Sequence, residues 1–339
     1  MKIVVRGANW IGDAVMTIPA LRQLRKVFPD ASISLHTRTW AEGVFRDADF
    51  IDEIISIDGG RGSVRSLIDQ SRVLRKGDFD VAILFPNSFE SALVTKLARI
   101  PKRLGYATEQ RGFLLTDKVE VPAWKGEEHE SRYYRELINR LHPDHLPAEE
   151  PVLAVSDPRR YEARKRLTES GVVEGRKIVG IGAGSTNSRA KRWAAENFSR
   201  LADLLSSEKG AEVIFLGNEN ESDVSRSVVE TSREKHIDLT GQTDLATATA
   251  ILSEIDLFVS NDMGLAHIAA AVGTPTIVIF GPTNAKTTRP LGRLVEVIRE
   301  PVECSPCMLR ECPIDHRCMT RISPERVFES ASKMMETQD

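Results

Sequence analysis

The chain has 339 residues, of which 41% are hydrophobic and 28% are charged, and its formal net charge is -3. This length exceeds the roughly 250 to 300 residues at which one hydrophobic core stops growing, so we expect two domains. The composition is that of a soluble globular protein, and the small net charge argues against a nucleic-acid partner.

The first segment, residues 2–5, is short and apolar, which predicts a β-strand and not a signal peptide. No stretch reaches the roughly 18 apolar residues that a membrane span needs. The expected location is therefore the cytoplasm, with any membrane attachment confined to the inner face of the inner membrane.

In the first half, strand-like runs alternate with segments of helical spacing, which predicts an α/β domain with a parallel sheet. The stretch 141–151 is rich in proline and breaks this alternation. We therefore place a first domain at residues 1–150 and a connector at 151–176. The strand-like runs are 2–5, 32–35, 53–57 and 81–85, and the helical segments are 14–27, 64–74 and 89–98.

From residue 177 the alternation resumes and continues through 297, which predicts a second α/β domain over 177–320. Gly210 and Gly273 lie where helix C-terminal caps belong, each just before a strand-like run. The segment 321–339 contains a helical pattern that begins at Pro324, a residue favoured in the first helical turn.

The first strand is followed by a glycine-containing turn, 6–13, that carries Asp13 toward a helix. The turn lacks the lysine of a Walker loop and the glycine pattern of a dinucleotide fold, which makes a nicotinamide oxidoreductase the least favoured class. Asp13 is a candidate helix N-cap or a candidate general base. A helix N-terminus stabilises the carboxylate anion, which weakens it as a base without removing its ability to receive a proton.

Two basic stretches, 61–76 and 96–111, each carry five cations against one carboxylate. Such stretches predict either solvated helix faces or a surface for an anionic acceptor or anionic lipid. Under the second hypothesis Arg61, Lys102 and Arg103 contact the acceptor.

Four loops in the second half each follow a strand-like run and carry residues suited to a phosphorylated nucleotide. Ligands bind beyond the carboxyl ends of the strands of an open α/β sheet, so these loops are expected to converge. The loop 182–186 is rich in glycine and hydroxyl groups, and Lys191 beyond it can neutralise a departing diphosphate. The other loops are 217–219, 241–243 and 261–264.

Each single residue in these loops also has a purely structural interpretation. Glu219 is a candidate ribose contact, with Glu221 as its competitor. Asp262 is either a ligand contact or a helix cap, and a lone His267 is typical of a buried core histidine. The acidic pair at 78 and 80 precedes a strand, at the wrong end of the sheet for a ligand, so we expect catalysis without a metal.

All four cysteines lie close together near the end of the sequence. In a cytosolic protein such clustering favours thiols or a metal site over disulfides. A structural zinc site and a set of thiols that pack a terminal loop are both compatible with the spacing. The residues are Cys304, Cys307, Cys312 and Cys318.

The segments 9–16, 86–93, 184–193 and 261–267 together resemble glycosyltransferase family 9, and within it the heptosyltransferases of lipopolysaccharide synthesis. The resemblance extends over nearly the whole chain. It implies a GT-B fold with two Rossmann-like domains facing a central cleft, and a final helix that packs back on the N-terminal domain. It also implies inverting transfer from ADP-L-glycero-D-manno-heptose to the heptosylated inner core of lipopolysaccharide, with no obligatory cofactor.

Position by position, the resemblance implies that Asp13 is the general base and that Lys191 contacts the donor phosphate. Met263 occupies a donor-site position where the family usually carries Ser or Thr, so one hydroxyl is lost there. The other donor contacts are Ser185, Thr186, Ser188, Glu219, Thr243, Asp262, Gly264 and His267, and the acceptor contacts include Asn9, Asn87 and Ser88.

Three alternatives remain open on the sequence. They are a sugar-nucleotide epimerase, a family 9 transferase with another donor or acceptor, and a non-catalytic module that binds nucleotide sugars. A lipid-linked acceptor also predicts peripheral contact with the anionic surface of the inner membrane.

Overall fold

The computed structural model describes residues 1–57, 63–142, 147 and 149–337. The chain divides into two units, Met1–Pro151 and Val152–Asp339, and each is built on its own parallel sheet. Arg61 lies outside the described residues. Among those that are described, no helix combines the length and the apolar character needed to cross a bilayer.

The described part of the first unit contains a six-stranded parallel sheet with the order β3-β2-β1-β4-β5-β6. The chain builds outward from β1 to β3 and then crosses back to β4, so the strand order reverses between β1 and β4. The strands are β1 (Lys2–Arg6), β2 (Ser32–Arg38), β3 (Glu53–Ile57), β4 (Val81–Leu84), β5 (Lys102–Tyr106) and β6 (Asp117–Val119).

Helices connect these strands, and the predicted helix 14–27 is divided into two at Thr17. Pro19 in the first turn of the second helix has no N–H and its ring crowds the preceding turn, which explains the break. The Thr17 hydroxyl closes the first helix by donating to the carbonyl of Ala14 over 2.6 Å. The helices are α1 (Ile11–Met16), α2 (Ile18–Val27), α3 (Glu42–Phe45), α4 (Val64–Gly77), α5 (Phe89–Leu97) and α6 (Glu130–Asn139).

The second unit repeats this plan in the order β12-β11-β10-β7-β8-β9, which reverses between β7 and β10. All of its strand pairs are parallel within the described residues. The strands are β7 (Ile178–Gly182), β8 (Glu212–Phe215), β9 (Ile237–Asp238), β10 (Leu257–Asn261), β11 (Thr276–Phe280) and β12 (Val295–Arg299).

The helices of the second unit begin with α7 inside the predicted connector 151–176. Arg159 of α7 donates a hydrogen bond to the carbonyl of Ala246 on α10, which anchors the connector to this unit. Gly210 and Gly273 follow helices with φ of 63° and 92°, which confirms their predicted capping positions. The helices are α7 (Asp157–Glu169), α8 (Ala195–Lys209), α9 (Ser222–Thr231), α10 (Leu245–Leu252), α11 (Gly264–Ala271), α12 (Ala285–Thr288), α13 (Arg317–Thr320) and α14 (Pro324–Glu336).

The terminal helix α14 is part of the hydrophobic core of the second unit. Its residues Val327, Ala331 and Met335 are buried in the same cluster as Phe198 of α8. Full burial of a side chain of the size of valine or methionine contributes about 1.5 to 3 kcal/mol. Packing of this helix on the N-terminal domain stays a prediction.

A buried histidine lies on β2 in the first unit. His36 is 1% exposed, and its Nδ1 has no hydrogen-bond partner among the described residues. Burial lowers the pKa of His36 well below its ordinary value, and the charges of Arg6 and Arg38 lower it further. The imidazole is therefore neutral in the folded unit.

Replacing this histidine tests its contribution to acid sensitivity. Because the folded-state pKa of His36 is lowered, its stabilising contribution is present above the ordinary value of 6.5 and is lost as the pH falls through the folded-state pKa. We expect His36→Leu to reduce the acid-induced loss of unfolding free energy by up to about 1.4 kcal/mol per pH unit in that range. Denaturant unfolding at a series of pH values measures how the unfolding free energy depends on pH. Identical slopes of unfolding free energy against pH for variant and parent would contradict the prediction.

Candidate functional site

Polar loops follow both strands at the reversal point of the second sheet. β7 ends at Gly182 and β10 ends at Asn261, and these strands are hydrogen-bonded neighbours. Ligands of open α/β sheets bind beyond the carboxyl ends of the strands at such a reversal. A ligand-binding site is therefore expected at the loops after β7 and β10.

The side chains of Lys191 and Asp262 form an ion pair at this point. Lys191 Nζ lies 2.7 Å from Asp262 Oδ2, and the hydroxyl of Thr283, after β11, donates to the same oxygen over 2.7 Å. Asp262 is 7% exposed, so its charge depends on these partners. The N-cap of α11 is Met263 and not Asp262, so the capping interpretation of Asp262 is wrong.

Asn261 links the two loops from inside the unit. It is fully buried, its Oδ1 accepts from the backbone N–H of Trp193 over 2.9 Å, and its Nδ2 donates to the carbonyl of Ala183 over 2.7 Å. Asn261 lies in the predicted loop 261–264, but no role was assigned to it from the sequence. Its position as a polar residue at the end of an otherwise apolar strand could have indicated this buried role.

The thioether of Met263 packs against the backbone of Gly182. A Cβ at position 182 would lie 2.6 Å from Met263 Sδ and 2.9 Å from Ser260 Cβ, so a side chain there would force these neighbours to shift. Gly264 begins α11, and His267 on the same helix is 5% exposed. Met263 is thus accommodated by the absence of a side chain on β7.

Glu221 joins the loops after β7 and β8. Its carboxylate accepts from the hydroxyl of Thr186 over 3.2 Å and from the backbone N–H of Asn218 over 3.0 Å. A Cβ at Gly184 would lie 2.5 Å from the Glu221 carboxyl carbon, so the close approach requires glycine. Burial raises the pKa of Glu221. Glu221 therefore has a structural role, whereas its competitor Glu219 is exposed.

The loops after β8 and β9 also meet, through a hydrogen bond from the N–H of Gly241 to the carbonyl of Gly217 over 3.0 Å. Thr243 lies just beyond Gly241 and is half-buried. On the β7 side, the carbonyl of Ser185 accepts from Arg192 over 3.0 Å. The structure therefore brings the four predicted loops to the same edge of the second sheet.

The cysteine segment does not form the predicted zinc site. Cys304, Cys307, Cys312 and Cys318 are free thiols, the first two exposed and the last buried. Within the described ranges, no group of three or more His, Cys, Asp or Glu side chains is placed to hold a metal ion. The zinc prediction therefore lacks support, although Cys304, Cys307 and Cys312 lie near enough to Cys318 to add to the increase in its pKa that burial causes.

The same segment instead supports the loop that carries Lys191. The N–H of Ala190 donates to the carbonyl of Arg310 over 3.0 Å, and His316 Nε2 donates to the carbonyl of Ala190 over 2.6 Å. The hydroxyl of Ser188 also donates to the Arg310 carbonyl, over 3.2 Å. Ser188, predicted to bind donor, is thus 8% exposed and bonded to protein.

Asp13 lies at the reversal point of the first sheet, in the first turn of α1 after β1. The N-cap of α1 is Trp10, so the capping interpretation of Asp13 is wrong. The hydroxyl of Tyr134, on α6, donates to Asp13 Oδ1 over 3.4 Å. Burial raises the pKa of Tyr134 well above its ordinary value, and the charge of Asp13 raises it further, so this hydroxyl keeps its proton.

A buried arginine holds the loop after β4, which carries Asn87 and Ser88. Arg111 is fully buried, and its guanidinium donates to the carbonyls of Pro86 over 2.5 Å and Ser88 over 3.1 Å. Burial lowers the pKa of Arg111 to about 10, which still leaves it charged. The interpretation of Arg111 as part of a solvated basic stretch is wrong. The Nδ2 of Asn87 donates to the hydroxyl of Tyr133 over 3.1 Å.

Of the remaining predicted acceptor residues, Asn9 lies at this edge, whereas Lys102 and Arg103 do not. Asn9 follows β1, and its Oδ1 is buried without a partner among the described residues. Lys102 and Arg103 begin β5, at the end of the sheet opposite to Asn9 and Asn87. Arg103 there donates to the carbonyl of Leu114 over 2.8 Å.

Comparison with known proteins agrees with the sequence resemblance. A family model described as glycosyltransferase family 9 (heptosyltransferase) matches residues 68–317. The chain is 28% identical to lipooligosaccharide heptosyltransferase 2 of Haemophilus ducreyi and to lipopolysaccharide heptosyltransferase 2 of Escherichia coli K12, over 99% of both chains in each case. The structure of E. coli ADP-heptose lps heptosyltransferase II is similar, with a TM-score of 0.85, 26% identity and coverage of 100% of this chain and 99% of that one. These similarities confirm the α/β, GT-B fold class.

Proposed function

This chain belongs to glycosyltransferase family 9, and we propose that it transfers heptose from ADP-L-glycero-D-manno-heptose to the heptosylated inner core of lipopolysaccharide. Transfer of a sugar is the activity of the family, and full-length similarity to proteins named heptosyltransferase 2 supports addition of a second heptose. The observation that carries the proposal is the ion pair of Lys191 with Asp262 at the reversal point of the second sheet.

The donor binds to the second unit in this proposal. Lys191 and the N-terminus of α11 stabilise the diphosphate and the charge that develops on it as ADP leaves. Glu219 contacts the ribose and Thr243 lies near the adenine. The remaining donor contacts are Ser185, Thr186, Ser188, Asp262, Met263, Gly264 and His267.

The reaction is a single displacement with inversion. The oxygen of an acceptor hydroxyl forms a bond to the anomeric carbon while the bond from that carbon to the diphosphate oxygen breaks, and its electron pair leaves with ADP. Asp13 receives the hydroxyl proton, and the hydrogen bond from Tyr134 orients the carboxylate. General-base assistance of this kind typically contributes about 10²- to 10⁴-fold in rate.

The acceptor contacts the first unit in this proposal. Asn9, Asn87 and Ser88 follow β1 and β4 at its reversal point, which supports their assignment. Arg61 stays a prediction, and the placement of Lys102 and Arg103 gives them no support as acceptor contacts. A lipid-linked acceptor requires a cytoplasmic enzyme that makes peripheral contact with the inner membrane.

Purified protein mixed with ADP-heptose and defined core acceptors tests the function directly. We expect transfer of one heptose to the acceptor that already carries one, because the similar proteins are heptosyltransferases 2. The mass of the product and the amount of released ADP measure this transfer. Acceptors that carry no heptose or two heptoses are the controls. Conversion of the donor without any acceptor would instead indicate an epimerase, and ADP binding without turnover would indicate a binding module.

Asp13→Asn tests the general base. We expect the transfer rate to fall by about 10²- to 10⁴-fold because the amide cannot receive the hydroxyl proton. ADP affinity measured by calorimetry should not change, since the donor contacts lie in the other unit. Asp30→Asn, at an exposed carboxylate of the same unit, is the matched control. A normal transfer rate for Asp13→Asn would remove this residue from the base role.

Lys191→Ala tests the diphosphate contact. Hydrogen bonds to charged groups are worth about 1.5 to 3 kcal/mol, so we expect ADP to bind about 10- to 100-fold more weakly in calorimetry. Lys165→Ala, at an exposed lysine on α7, should bind ADP normally. Lys191→Arg retains the positive charge beside Asp262 and should recover part of the affinity. Unchanged affinity in Lys191→Ala, with the fold intact, contradicts the assignment.

A further inference from the structure

The outer face of α5 is apolar although it is exposed. Residues of this helix that point to the sheet, among them Ala92 and Val94, are buried as expected. Phe89 and Leu97 on the outside are 40% and 46% exposed. A helix that is hydrophobic on both sides normally lies inside a protein or against a membrane. The exposed side of α5 therefore suggests a binding surface.

An exposed aromatic ring extends this face beyond the helix. Phe113 lies on the short turn between β5 and β6 and is 65% exposed. Its ring centroid lies 6.0 Å from that of Phe89, and Lys96 Nζ lies 5.5 Å from the Phe113 centroid. Two aromatic rings and one cation thus form a contiguous exposed group.

The neighbouring helix α4 carries several cations and the exposed apolar residues Val64, Ile68 and Val73. α4 and α5 share a hydrophobic core cluster, and Gln70 of α4 also donates a long hydrogen bond of 3.5 Å to Glu90 of α5. Val73, one turn beyond Gln70, is 47% exposed. Between residues 63 and 77, Asp69 is the only acidic residue in the sequence, whereas the exposed cations are Arg65, Arg72, Arg75 and Lys76.

The four apolar residues and the cations around them form what we call the α4–α5 surface. Its apolar part is Val73, Phe89, Leu97 and Phe113, and its nearest cations on α5 and beyond are Lys96 and Arg99. Over residues 63–77 and 89–99 six cations face two carboxylates, Asp69 and Glu90, and Glu109 adds a third carboxylate that accepts from the N–H of Phe89 over 3.3 Å. The chain as a whole has a formal net charge of -3, so this local excess of positive charge is a property of the surface and not of the protein.

We propose that the α4–α5 surface docks on an anionic phospholipid bilayer, with Phe113 and Phe89 at the level of the headgroups and the surrounding cations on lipid phosphates. Aromatic rings interspersed with lysine and arginine are typical of membrane-interface segments. Pairing of this surface with the same surface of a second copy would bring like charges together, which is unfavourable at an interface. Charge complementarity therefore favours a bilayer over a second copy of the chain.

The location of this surface indicates what the docking does for the reaction. This step rests on the proposed function. Ser88 is the N-cap of α5, and its Oγ accepts from the N–H of Ser91 over 3.3 Å. The loop with Asn87 and Ser88 therefore ends where the α4–α5 surface begins. Docking would hold the acceptor loop close to the membrane in which a lipid-linked acceptor is embedded.

Flotation of the full-length protein with vesicles tests the proposal without donor or acceptor. We expect binding to vesicles of phosphatidylglycerol and phosphatidylethanolamine and little binding to phosphatidylcholine vesicles. Phe113→Ser should reduce partition by about tenfold because burial of its ring is lost. Lys96→Glu should reduce it by about fivefold or more, because one basic residue near an anionic surface is lost and a like charge is added. High salt should release the parent protein.

Matched controls lie on α7 of the second unit. Tyr161→Ser removes an aromatic ring that is also 65% exposed, and Lys165→Glu reverses an exposed lysine, and both should leave vesicle binding unchanged. Equal binding to neutral vesicles, or binding that neither Phe113→Ser nor Lys96→Glu weakens, overturns the proposal. A dimer in sedimentation that Phe113→Ser dissociates, without vesicle binding, also overturns it in favour of self-association.

Transfer to a deacylated, water-soluble acceptor separates this proposal from the proposed function. Phe113→Ser and Lys96→Glu should transfer to that acceptor as well as the parent does, and should lose activity only toward acceptor embedded in vesicles. If the parent transfers normally but does not bind anionic vesicles, the docking proposal fails alone. If vesicle binding follows the expected pattern while no variant transfers heptose, the proposed function fails alone.

Discussion

The ion pair between Lys191 and Asp262 is the interaction on which the second unit's candidate site depends. A carboxylate as buried as that of Asp262 is stable only with a cation and hydrogen-bond donors, and loss of one partner of such a pair typically costs about 3 to 5 kcal/mol. Lys191 can reach the carboxylate of Asp262 because the short turn Arg189–Lys191 is held by hydrogen bonds of Ala190 with Arg310 and His316. The pair thereby fixes the loop after β7 against the end of β10.

Both units keep a polar residue buried beneath the loops at the reversal of strand order. Asn261 does this in the second unit and Arg111 in the first, and each bonds to backbone carbonyls of a neighbouring loop. Because these bonds are made inside the protein, the loop backbones are positioned before any substrate binds. In the roles proposed for them, Asp13 and Lys191 would thereby act on a transition state without first being ordered.

The sequence predicted those features that depend on local chemistry. β3 (Glu53–Ile57) and the cap at Gly210 were placed correctly because apolar alternation and a positive φ are local properties. Long-range contacts decided the rest. Arg111 looked solvated, yet its carbonyl partner at Pro86 is 25 residues away. From the sequence, Glu219 was the candidate ribose contact and Glu221 its competitor, and only the close approach of Gly184 identifies Glu221 as a structural residue. The cysteine spacing carried no information on which way each thiol points.

The burial of α14 has a consequence for synthesis of the protein. Val327, Ala331 and Met335 complete the core of the second unit, and Trp193, two positions after Lys191, donates its indole N–H to the carbonyl of Ile322. The first unit is one continuous stretch of sequence and can close while translation continues, as N-terminal domains generally do. The second unit cannot complete its core until α14 has left the ribosome. A stop codon just before Val327 would therefore leave a polypeptide whose first unit is folded and whose second unit is not.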